Sequence, residues 1–123
     1  MRFLIIDDEA TARKVLKKQL EIALPSCHIV EADNGAVGLF HYFQEKPDLV
    51  LLDLMMPVVN GEMFLNVIDI CYQRGLIEEP RVVVITSFTD AEKLVALANR
   101  PSVETVIPKP ITQATIDSLK SLL

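Results

Sequence analysis

Apolar residues fall into five short runs along the chain, separated by stretches in which they recur every three or four positions. The runs are FLIID (3–7), HIVEA (28–32), DLVLLD (48–53), RVVVIT (81–86) and ETVIP (104–108). Their length and β-branched content predict strands rather than buried helices. The first, third and fourth are apolar almost throughout, as expected of parallel strands covered on both faces.

The intervening stretches have helical spacing. Ala12, Val15, Leu16 and Leu20 form an i, i+3, i+4, i+8 stripe. A second helix is expected over 36–45, opened by the Asp-Asn-Gly turn at 33–35. Phe64, Val67, Ile68 and Cys71 mark one face of a third, with Gly75 as its stop signal. Thr89 followed three residues later by Glu92 reads as a capping box for a fourth, closed by Pro101. The fifth runs from about Thr112 to the end and carries Ile116, Leu119 and Leu122/Leu123. Strict alternation of strand and helix predicts an α/β fold of (βα)5 type, a doubly wound, five-stranded parallel sheet with right-handed crossovers.

Ligands of such sheets bind beyond the carboxyl ends of the strands, so the residues there matter most. Strand one ends in Asp7, Asp8 and Glu9, strand three in Asp53, strand four in Thr86 and Ser87, and strand five in Lys109 between two prolines. Each has an ordinary explanation alone, since acids favour helix N-termini and Asp favours turns. Together they converge, because the ends of strands one, three and four are neighbours. Two carboxylates about 5 Å apart repel by roughly 3 kcal/mol at an effective dielectric of about 20. Lys109 supplies one compensating charge, and a hard divalent cation is the natural source of the rest. An acidic pocket with a lysine and a hydroxyl suits phosphoryl chemistry with aspartate as nucleophile.

Composition narrows the classes. The 123 residues suit one domain, 1–123, and 50% hydrophobic content excludes disorder. No apolar run approaches the roughly 18 residues of a membrane span. The start, MRFLIIDDEA, lacks the pattern of a signal peptide. A cytoplasmic protein without membrane attachment is therefore expected. A net charge of −5 argues against direct nucleic-acid binding. The basic group Arg13, Lys14, Lys17 and Lys18 reads as a solvated helix side or as a docking surface for an acidic partner. Cys27 and Cys71 are expected to be free, mostly buried thiols, and Cys27 beside His28 is too few ligands for zinc.

The acidic pair at 7–8, LLDLMMPVVNG at 51–61, Thr86 and Ser87 in VVVITS, and Lys109 in PKP resemble the response-regulator receiver domain of two-component signalling, over essentially the whole chain. The resemblance implies a flavodoxin-like three-layer sandwich with strand order 2-1-3-4-5. It implies that Asp53 is the phosphoacceptor, served by a sensor histidine kinase or phosphotransfer protein. Mg²⁺ (or Mn²⁺) would be held by Asp8, Asp53 and the Met55 backbone carbonyl, with Asp7 acting mostly through water. Lys109 would bond a phosphoryl oxygen, Thr86 would be the switch hydroxyl, and Pro57 and Gly61 would shape the following loop. The Lys109–Pro110 bond is often cis in this family. Output would pass through the α4–β5–α5 surface to an effector domain or downstream protein, with a homodimer through that surface as one form. No DNA-binding or catalytic segment is expected in the chain, which would catalyse only its own phosphorylation and dephosphorylation.

The sequence departs from the family at five places. Val106 stands where an aromatic switch residue is usual, so activation would be transmitted by backbone and helix-four shifts, or weakly, in place of a ring movement. The usual Gly-Ala before strand five is replaced by NRPSVE (99–104). Pro108 removes a ladder donor, tolerable on an edge strand. Met55 and Phe88, flanking the path of attacking water, are apolar, which implies a long-lived aspartyl phosphate. The alternative is a degenerate receiver acting as a phosphorylation-independent interaction module. A haloacid-dehalogenase-type phosphatase would need a second Asp where Met55 stands, and a dinucleotide-binding domain would need a glycine-rich turn after strand one.

Overall fold

The computed structural model describes all residues except 55, 57–59 and 88. Among the described residues, ten elements alternate between strand and helix: β1 (Arg2–Ile6), α1 (Ala10–Ala23), β2 (His28–Ala32), α2 (Gly35–Glu45), β3 (Leu49–Asp53), α3 (Gly61–Gln73), β4 (Val82–Thr86), α4 (Ala91–Ala98), β5 (Val103–Pro108) and α5 (Gln113–Ser121). The strands form one parallel sheet in the order β2-β1-β3-β4-β5.

Period-two alternation in the central strands builds the three layers. Leu4, Ile6, Val50, Leu52, Val82 and Val84 point to one face and pack with Phe64, Leu65, Ile68 and Leu97 of α3 and α4, and with Tyr42 of α2. Phe3, Ile5, Leu49, Leu51, Val83 and Ile85 point to the other and meet Leu16 and Leu20 of α1 and Ile116 and Leu119 of α5. All ten residues of β3 and β4 are buried, so both strands read as continuous apolar runs.

Helix ends follow local chemistry. Asn34 caps α2 through Val37 N–H, and Asn60 caps α3 through Met63 N–H. Past α3, Gly75 takes φ +70°, a left-handed conformation that glycine accommodates without a Cβ penalty. At α4 the cap is Asp90, not Thr89: its carboxylate accepts from Glu92 and Lys93 N–H. Acceptance by an N-cap side chain from the second and third helical N–H groups is the capping geometry, and a start at Ala91 gives that place to Asp90. Helix α4 ends at Ala98 with Asn99 as its C-cap, ahead of Pro101.

Burial sharpens the helix faces and corrects the expectation for the cysteines. Val15 is 49% and Val67 36% exposed; each lies about 100° around its helix from a buried neighbour, Leu16 and Ile68. Leu123 is exposed at the chain end. Cys27 and Cys71 are free but only partly buried. Burial still pushes the Cys27 thiol up. Among the described residues, no helix is long and apolar enough to cross a membrane.

Candidate functional site

The register of the sheet gathers the polar strand ends at one edge. Ile6 pairs with Leu52 and Asp53 with Ile85, so the residues just beyond β1 lie beside Asp53. Thr86 pairs with Pro108, and the Lys109 N–H donates to the Thr86 carbonyl at 2.9 Å. The Lys109–Pro110 peptide is cis, as the resemblance implies.

Asp53 is only 6% and Asp7 8% exposed, whereas Asp8 is open to solvent. Carboxylate oxygens of the three lie within 4.8 Å of one another, the only such His/Cys/Asp/Glu group among the described residues. At that separation each pair of charges repels by about 3 kcal/mol at an effective dielectric of about 20. The Lys109 ammonium lies 3.5 Å from Asp7 Oδ2 and 3.5 Å from Asp53 Oδ2. Burial pulls its pKa down, but the carboxylates of Asp53 and Asp7 outweigh that and hold it above its usual value. It is thus a fixed cation through the neutral range. Three carboxylates against one ammonium leave a formal charge of −2, and an all-oxygen donor set suits a hard divalent cation.

Asp7 is locked in place. Its N–H donates to Ala32 O at 3.1 Å, its Oδ1 accepts from Glu9 N–H at 2.9 Å, and its carbonyl accepts from Arg13 Nη1 at 2.7 Å. Beyond β3, the Gly61 N–H donates to Leu54 O at 3.1 Å. A Cβ at Gly61 would stand 2.7 Å from Leu54 Cα and 2.8 Å from Asp53 O, so only glycine lets α3 begin this close to the aspartate. A cleft of about 470 Å³ opens beside the acidic residues, between α1 and the turn after β5, bordered by Glu9, Val15, Lys109 and Pro110.

The structure therefore brings Asp7, Asp8, Asp53 and Lys109 together. It buries Thr86 at the adjacent strand end, 1% exposed. Val106 is partly buried against the core on the sheet face covered by α2, α3 and α4. The expectations for Met55, Pro57 and Phe88 lie outside the described residues. Sequence periodicity missed Arg13: it reads as part of a solvated or docking face, yet Arg13 and Lys17 both reach Glu31. Only the exposed Lys14 and Lys18 fit the solvated reading.

Comparisons with known proteins agree with this arrangement. The family model described as "Response regulator receiver domain" matches residues 3–119. Protein PilH of Pseudomonas aeruginosa is 30% identical over 115 residues, covering 94% of this chain and 90% of its own length. A probable transcriptional regulator of Guillardia theta is 45% identical over 62 residues, 49% of this chain, and the chain spans only 23% of its length. The signal receiver domain of a DNA-binding response regulator from Colwellia psychrerythraea superposes with a TM-score of 0.84 at 25% identity, over 99% of this chain and 97% of that one. The response regulator domain of Thermotoga maritima CheB gives 0.77 at 25% identity, over 99% and 92%. With its motifs at the strand ends of a 2-1-3-4-5 sheet, the chain belongs to the response-regulator receiver domain family of two-component systems.

Proposed function

We propose that Asp53 accepts a phosphoryl group from a phosphohistidine of a sensor histidine kinase or phosphotransfer protein. The observation that carries this is a nearly buried carboxylate at the end of β3, with an ammonium at 3.5 Å and two further carboxylates beside it. An Asp53 oxygen attacks phosphorus as the P–N bond breaks, and the electron pair returns to the imidazole nitrogen, which is protonated. Lys109 keeps its proton and donates to a phosphoryl oxygen, since its pKa is raised. Asp7, Asp8 and Asp53, with the Met55 carbonyl, would hold Mg²⁺ or Mn²⁺. When bound, such an ion offsets the carboxylate charge and that developing on the phosphoryl oxygens.

The Thr86 hydroxyl then serves as the switch, turning toward the new phosphoryl group. Its displacement reaches the α4–β5–α5 surface through backbone and α4, because Val106 has no ring to move. That surface signals to an effector domain or downstream protein, or pairs two copies of the chain, in the cytoplasm. Val106 also favours a second reading, a phosphorylation-independent interaction module.

Incubation with Mg²⁺ and acetyl phosphate separates the two. Mass spectrometry should show one added phosphoryl group on the wild type and none on Asp53→Asn. No addition to either protein favours the interaction module.

A further inference from the structure

The corner that carries Asp7 and Asp8 is anchored by a side chain from outside the pocket. Arg13 donates from Nη1 to the Asp7 carbonyl at 2.7 Å and from Nε to Glu31 Oε1 at 3.1 Å. Glu31 stands on β2 in register with Ile5 of β1, and Lys17 Nζ holds its other oxygen at 3.4 Å. The Arg13 side chain is only 15% exposed, so its planar fork spans the carbonyl and the carboxylate with little solvent around it. The link runs from β2 through α1 to the backbone of a candidate cation ligand.

We propose that Arg13 is a positioning residue for the cation site, holding the β1–α1 turn so that Asp7 and Asp8 face Asp53. The proposal rests on the reading of these three aspartates as cation ligands. Charge and positioning make opposite demands on Arg13. A guanidinium on the backbone of a ligand residue repels a nearby divalent cation, so removing it should tighten cation binding if charge alone matters. If positioning matters, removing it should weaken binding, as loss of an outer hydrogen-bonding partner does at metal sites. The sign of the change decides.

The test is calorimetric Mg²⁺ titration of unphosphorylated wild type, Arg13→Met, Arg13→Lys and Lys14→Met, with folding checked by circular dichroism. Arg13→Met keeps the apolar stem, and Arg13→Lys keeps the charge but lacks the planar fork. Lys14→Met removes a charge from the exposed side of the same helix. We expect Arg13→Met to bind Mg²⁺ about tenfold more weakly, Arg13→Lys to fall between it and wild type, and Lys14→Met to match wild type. Amide exchange should also quicken at Glu9, whose N–H is bonded to Asp7 Oδ1. Equal or tighter binding by folded Arg13→Met overturns the proposal, and if that variant does not fold, wild-type affinity in Arg13→Lys does so. Absence of Mg²⁺ binding by wild type overturns the cation reading itself, and the proposal with it.

Discussion

Lys109 faces two carboxylates at 3.5 Å, and its raised pKa ties stability to pH. A lysine whose folded pKa lies above the unfolded value of 10.5 contributes stability that is fully present below 10.5. That contribution is lost as pH rises through the folded pKa. In Mg²⁺-free buffer, the stability gap between wild type and Lys109→Met should stay flat through neutral pH and close only above 10.5. Denaturant titrations across pH check this, and a gap that closes near neutrality contradicts it. Gly61 gives a second prediction at this scale. A Cβ there meets backbone atoms at 2.7 and 2.8 Å, which cannot swing away. Gly61→Ala should therefore destabilise by about 1–3 kcal/mol and displace the Asp53 carbonyl, both readable by denaturation and by amide shifts. The placement of Asp7, Asp8, Asp53, Thr86 and Lys109 was legible because strand ends follow from apolar runs. The contacts of Arg13 were not, since its partners are a backbone carbonyl and a carboxylate on β2, and no periodicity marks either.

Among the elements, the strands were the most legible, because burial on both faces leaves β3 and β4 with no polar position before their ends. Helix faces were less so. Three-residue and four-residue spacings both satisfy the pattern, and only packing against the sheet separates Ile68 from Val67. The start of α4 shows the same limit: Thr89 and Asp90 are adjacent capping residues, and the backbone chooses Asp90. Asp90→Ala should lower stability by about 1 kcal/mol, while Thr89→Ala should be nearly neutral. Thermal melts of the two variants distinguish the caps. The NRPSVE segment, unusual for the family, has a structural consequence the sequence did not advertise. Arg100 bonds Asn66 Oδ1 at 2.9 Å and Asp69 Oδ2 at 3.1 Å, fastening the end of α4 to α3. Because Asp69 is mostly buried, Arg100→Ala should cost about 2–3 kcal/mol by stranding that carboxylate, measurable by urea unfolding.

For the molecule as a whole, the layers explain how one rigid sheet brings distant residues of the chain to a single edge. Residues 7, 53, 86 and 109 are far apart in sequence, yet the order 2-1-3-4-5 sets their strands side by side. The (βα)5 class was thus readable from alternation and the strand order from the family resemblance, and the grouping of the acids followed from the topology. We propose that the phosphorylated form is long-lived, since Met55 and Phe88, two positions after Asp53 and Thr86 in the sequence, are apolar where the family resemblance leads one to expect polar residues that assist hydrolysis. Phosphate release after donor removal should take minutes or longer, and decay within seconds contradicts it. The central claim is the identity of the phosphoacceptor. An aspartyl phosphate is an acyl phosphate, which borohydride reduces to homoserine, so peptide mapping after reduction marks the modified residue. Treatment with acetyl phosphate and Mg²⁺ should yield homoserine at position 53 alone; unmodified Asp53, or homoserine elsewhere, contradicts the account.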